Sequence, residues 1–131
     1  MSSWDGTINV NIGDEGYTLR PSFDALMEFE DLTGVSVIQA HEDFTNGKFS
    51  LKIAAAAIWA GIRGHNIYTQ NPKLDSAEFS FRVLGEKIRR YGFDKVQLVV
   101  IKFLAYAVLP HDKVVDLEAS DEATEEKKST V

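Results

Sequence analysis

The chain has no cysteine, which excludes disulfides, thiolate metal ligands and cysteine nucleophiles. Histidine is scarce too. His41, His65 and His111 lie far apart, and none has a second histidine at the i+4 spacing of a helical metal site; His41 has only Glu42 and Asp43 beside it. No G-x-S-x-G, H-E-x-x-H or phosphate-loop pattern occurs, so the catalytic, cofactor and metal assignments are all none. The segment MSSWDGTINV lacks a basic stretch followed by an apolar run, and no signal peptide is expected. The longest apolar run, Val96–Leu109, is broken by Lys102 and is too short to span a bilayer. Positive charge is in deficit, with 14 Lys and Arg against 20 Asp and Glu, for a net charge of −6. From His111 onward seven acids face three lysines, while residues 1–110 hold 13 acids and 11 bases. Neither part offers the basic field that nucleic acid requires. The expectation is a soluble, cytoplasmic protein with no membrane or nucleic-acid partner.

What is present is apolar patterning. Ser50–Gly64, SLKIAAAAIWAGIRG, is apolar on nearly every side and reads as a central helix capped by Ser50 and ended by Gly64. Its four consecutive alanines allow close approach of neighbours, and Ile58, Trp59 and Ile62 fill the gaps. The same helix suits a monomer core or a self-association seam, so a homo-oligomer stays open. Upstream, Thr7–Ile12 alternates Ile8, Val10 and Ile12 with polar residues, and Tyr17–Arg20 resumes the alternation after a Gly13–Gly16 turn. Together they read as a β-hairpin whose outer edges remain open for pairing.

Pro21-Ser22 switches the period to that of a helix that Ser22 caps, with Phe23 and Leu26 bringing it onto the sheet, and Gly34 ends it. Ser36 caps a short helix, Val37–Phe44. His65–Asp75 reads as a polar loop containing Pro72. Ser76 starts the next helix, with Phe79, Val83, Leu84 and Ile88 as its buried stripe and Gly92 as its end. Asp94 caps the last helix, Lys95–Leu109, which Pro110 stops. Residues 118–131 are too polar to order themselves, and an acidic, disordered tail is expected over 111–131. The fold class is therefore α+β: one domain over residues 1–110, with an N-terminal β-hairpin packed on about five helices.

Chemistry is sparse in this pattern. Glu28, Glu30 and Asp31 cluster on one helix, but nothing in the sequence supplies the burial or partner that would split their pKa values for acid–base work, so they read as a solvated face. Gly61-Ile62-Arg63-Gly64 stands at a helix end, whereas anion cradles precede a helix. The remaining functional candidates are surface positions: Thr18 and Arg20 on the hairpin edge, and Arg63, His65 and Tyr68 around the end of the central helix. Tyr68 sits in the polar stretch, where its ring either packs over the helix end or anchors a partner.

The order of features resembles the gene-transfer-agent and phage tail assembly chaperone family, members of which are also labelled phage tail tube proteins. The resemblance rests on Leu19-Arg20-Pro21-Ser22-Phe23, then Ala25-Leu26-Met27-Glu28-Phe29-Glu30 ending in Thr33-Gly34, and then Ala60-Gly61-Ile62-Arg63-Gly64. It covers about residues 5–110 and not the acidic tail. It implies a non-enzymatic role in tail assembly in the bacterial host cell. The expected partner is the tape-measure protein, kept soluble until tail-tube protein polymerises around it. The alternative is a tail tube or tail terminator subunit retained in the virion. Tail chaperones of this kind are often made in two lengths by ribosomal frameshifting. Lys127-Lys128 is compatible with an A-rich slippery codon pair, which the gene sequence would settle.

Overall fold

Alternating branched and polar residues build the hairpin. In the computed structural model, which describes residues 6–76 and 78–110, strand β1 (Ile8–Ile12) pairs antiparallel with β2 (Glu15–Leu19), Ile8 facing Leu19 and Val10 facing Tyr17. Ile8, Val10, Ile12, Tyr17 and Leu19 are buried on the face that covers the helices, as a period of two requires. The turn is tighter than the Gly13–Gly16 reading. Glu15 and Gly16 already pair, leaving Gly13-Asp14 as a two-residue turn with Gly13 at φ 64°, a conformation that primed hairpin turns demand.

Five helices follow: α1 (Phe23–Thr33), α2 (Val37–Thr45), α3 (Leu51–Thr69), α4 (Phe81–Tyr91) and α5 (Gln97–Val108). Serine opens four of them. Ser22, Ser36, Ser50 and Ser80 each accept a hydrogen bond from the backbone N–H three residues on, at 3.0–3.3 Å. The α+β reading holds, as a two-strand antiparallel hairpin packed on five helices. Helix α3 is its axis and touches β2, α1, α4 and α5. Residues 53 to 62 of α3 are all buried, and Ala56, Ala57, Ile58 and Ala60 have no exposed surface.

Several expected boundaries and faces are corrected. Helix α3 does not end at Gly64 but runs on to Thr69, so the first part of the expected loop is helical and Pro72–Asp75 forms a short 3-10 turn. The true end is Gln70, which holds the left-handed φ of 53° with no glycine to ease it. Buried Asn66 makes this possible. Its Oδ1 accepts from Asn71 N at 2.8 Å and from Thr69 Oγ1 at 2.9 Å, and its Nδ2 donates to Asn71 O at 3.1 Å. Helix α4 is capped by Ser80, not Ser76, because Phe79 is buried ahead of the helix, stacked 5.2 Å from Trp59 and 6.0 Å from Tyr17. Val83 falls on the exposed side, leaving Leu84 and Ile88 as the buried pair. Asp94 caps nothing: Phe93–Lys95 is a 3-10 turn and α5 starts at Gln97 with no side-chain cap. On α1, Phe23 is 74% exposed, and Ala25 and Phe29 dock the helix instead. His111, the expected disorder of 111–131 and Lys127-Lys128 lie outside the described residues.

Candidate partner-binding surface

The two sequence segments that carry the family resemblance meet in space. The chain leaving β2 crosses α3 where that helix has no side chains. A Cβ on Gly61 would lie 2.8 Å from Leu19 Cβ and 3.0 Å from a Phe103 ring carbon. A Cβ on Gly64 would lie 2.7 Å from Ala25 Cβ, 2.8 Å from Arg20 O and 2.9 Å from Ser22 Oγ. The Arg20 N–H donates to Gly61 O at 3.0 Å, locking the corner to the helix. Close backbone approach, not a left-handed helix end, is what these two glycines provide. The corner holds Pro21, Ser22 and the start of α1 in fixed register on α3.

The surface candidates group around this joint in three places. Arg20 and Tyr68 come together, with the guanidinium carbon 4.3 Å from the ring centroid; Tyr68 remains 65% exposed. Arg63 and His65 line different clefts. Arg63 lines a cleft of about 250 Å³ between α1 and α3, where its Nε lies 2.7 Å from Glu28 Oε1 and 4.0 Å from Asp75 through Nη1. His65 and Thr18 line a larger cleft of about 630 Å³ bounded by β2, the end of α3, the Asn71–Glu78 stretch and α4. Thr18 also donates to Asn9 Oδ1 across the hairpin at 3.0 Å.

The carboxylate cluster on α1 has structural employment rather than catalytic geometry. Glu28 pairs with Arg63, and Glu30 Oε2 accepts from Val37 N at 2.8 Å, adding a second cap to α2. Another polar cluster was not legible in the sequence because its members are 72 residues apart. Lys87 on α4 donates to Glu15 at 2.9 Å, and Tyr17 Oη donates to the other oxygen of Glu15 at 2.8 Å. The lysine hydrogen bond first, then that of Tyr17, holds the Glu15 carboxyl below its ordinary range. Glu15 in turn raises Lys87, and burial first and Glu15 second raise the Tyr17 phenol. This cluster pins the hairpin tip to α4. Among the described residues, no three His, Asp or Glu side chains converge in a way that could hold a metal ion.

Large apolar side chains at the surface are the other feature that spacing alone did not show. Phe23 and Met27, one turn apart on α1, and Ile67 and Tyr68 on the last turn of α3 are all exposed. Ile67 shares the smaller cleft with Asp24 and Glu28. Elsewhere Ile38 and Leu98 are more than two-thirds exposed. Among the described residues, no helix is long and apolar enough to cross a membrane.

The structure is thus a small hairpin-on-helices scaffold, jointed at Leu19–Ala25 and Gly61–Gly64 and carrying large apolar side chains at its surface. The chain belongs to the phage and gene-transfer-agent tail assembly family described as phage tail tube protein, GTA-gp10, whose profile matches residues 5–80, more than half of the chain. The match takes in the hairpin, the joint and all of α3, and stops short of α4 and α5. No curated protein and no solved structure matches the chain.

Proposed function

We propose that this protein is a non-enzymatic tail assembly chaperone that keeps a tape-measure protein soluble before tail-tube subunits polymerise around it. The observation that carries this reading is the set of large apolar side chains exposed beside the hairpin–helix joint: Phe23, Met27, Ile67 and Tyr68. Single exposed apolar side chains are ordinary on a protein surface; it is the grouping of these four beside one joint that supports a partner site. A client made of amphipathic helices offers complementary apolar stripes, and shallow clefts give contacts weak enough to release when tube subunits compete. Arg20, Tyr68 and Arg63 would frame the contact, with Thr18 and His65 bordering it from the larger cleft.

Co-expression with the tape-measure protein encoded beside it tests the reading. The expected outcome is a client that is soluble and co-purifies only when this protein is present. An indifferent client would overturn it. The family's description as a tail tube protein favours a second reading, a structural subunit retained in the particle. Stoichiometric amounts in purified particles, or rings and tubes formed by the protein alone, would select that reading.

A further inference from the structure

The hairpin turns one row of backbone groups toward the larger cleft. Across a two-residue turn the flanking residues exchange hydrogen bonds, so Ile12–Glu15, Val10–Tyr17 and Ile8–Leu19 are the bonded pairs. The N–H and C=O of Gly16 and Thr18 therefore point away from β1. Arg20, the next residue of that parity, confirms the direction, because its N–H reaches Gly61 O on α3 at 3.0 Å. Among the described residues, no hydrogen bond takes up the backbone of Gly16 or Thr18. Gly16 is exposed and Thr18 half-buried. Both line the cleft of about 630 Å³, a size that suits a bound ligand. Ile62, Leu74 and Phe79 give that cleft an apolar lining beside the strand edge.

We propose that this edge of β2 binds an extended segment of another protein, added as a third strand within the cleft. Gly16 and Thr18 stand two residues apart, roughly 6.6–6.8 Å along the strand. An extended partner repeats its own outward groups at that spacing, whereas a helix has already bonded its backbone internally. The ligand class thus differs from the helical client proposed above, and the inference stands whether or not that reading holds. Alternate side chains of the added strand face the apolar lining, so apolar residues are favoured at every second position. The lining charges offset one another, Glu15 and Glu78 against Lys73 and Lys87, so an uncharged segment fits best. A second copy of this chain is a poorer occupant. Its free edges belong to a hairpin packed on helices, and a cleft walled by β2, α3, α4 and the Asn71–Glu78 stretch admits a single chain more readily than a folded body.

The probe is a short peptide alternating threonine and valine, acetylated and amidated at its ends, titrated into the isotope-labelled full chain and followed by NMR. In the free protein the Gly16 and Thr18 amides should exchange quickly with solvent, and those of Tyr17 and Leu19 slowly. Added peptide should shift the amides of Gly16, Thr18 and the Asn71–Glu78 stretch. Main-chain pairing uses the N–H groups of only one alternating set of peptide residues. N-methylation of that set should weaken binding by about tenfold or more, and N-methylation of the other set by less than about threefold. Thr18→Pro removes an outward N–H without breaking a bond to β1, a change that edge strands tolerate, and should weaken the parent peptide by about tenfold or more. Should that variant fold poorly, the two methylated peptides test the same contact on the unaltered protein. Four results would overturn the proposal: equal effects of the two methylation patterns, shifts centred on Asn9 and Asn11 or on Phe23 and Ile67, no shift at about 1 mM peptide, or slow exchange of Gly16 and Thr18 in the free chain, which would mean that its own residues or a second copy already cover the edge.

Discussion

At the scale of single residues, two glycines in helices make opposite predictions. Gly64 in α3 stands where a Cβ would press on Ala25, on Ser22 and on the carbonyl of Arg20 at under 3 Å. Overpacking of this kind costs about 1–3 kcal/mol. A backbone oxygen among the clashing atoms leaves little room to yield, so the cost outweighs the helix-propensity gain of about 1 kcal/mol. Gly64→Ala is expected to lower the urea midpoint clearly. Gly85 in α4 has nothing within 4 Å of a virtual Cβ, and Gly85→Ala should raise stability by about 0.5–1 kcal/mol. If Gly64→Ala leaves the midpoint unchanged or raises it, the packing account of Gly64 fails. The sequence could not separate these cases. A-G-I-R-G after a long apolar run reads as a helix end, because Gly64 gives no sign of what stands opposite it. Phe23 lies outside for a related reason: a short helix with apolar residues on several sides does not reveal which side meets the sheet.

At the scale of elements, the local signals served well and the long-range ones did not. The strand period and three of the four serine caps were legible because each depends on neighbours within four residues. The end of α3 depends on Asn66 closing over Asn71, a polar side chain doing the work of a glycine cap. Asn66→Ala would leave the Asn71 N–H and carbonyl without their partner and should cost about 1–3 kcal/mol. Thermal melts would show it, with faster hydrogen exchange confined to the Thr69–Asp75 stretch. The docking of the hairpin tip on α4 gives a pH dependence. Glu15 is depressed by Lys87, so its contribution is complete above the ordinary carboxylate range and is lost as pH falls through its folded value. Lys87 and Tyr17 are raised, so the contributions of both are present at neutral pH and are lost as pH rises through their folded values. Glu15 and Lys87 sit at a solvated surface, which limits the effect of that pair to about 1 kcal/mol or less. Comparing wild type with Lys87→Met across pH, the stability difference should be largest near neutrality and shrink at both acid and alkaline ends. A difference that grows toward either extreme would contradict the assignment.

At the scale of the whole molecule, the fold exposes what the sequence hid in its periodicity. A stretch with more apolar residues than its helices can bury must leave some outside, but which ones depends on assembly. Phe23, Met27 and Ile67 fall outside because Ala25, Phe29 and Gly64 carry the α1–α3 contact at small separation, turning the bulkier neighbours away. This separates stability from binding, and so gives the function its sharpest test. Phe23→Ser and Ile67→Ser remove side chains that are 74% and 54% exposed, so each should change folding stability by no more than about 0.5 kcal/mol. The same pair removes two candidate anchors of an apolar contact, and the double variant should lose client solubilisation and co-purification while its melting curve stays near that of wild type. Phe29→Ala is the converse control. It empties a fully buried site at a cost of about 3–5 kcal/mol and should impair client handling only in proportion to the protein that unfolds. A double variant that still holds the tape-measure protein would move the contact surface away from this corner, toward Ile38 and Leu98 at the α2 and α5 side.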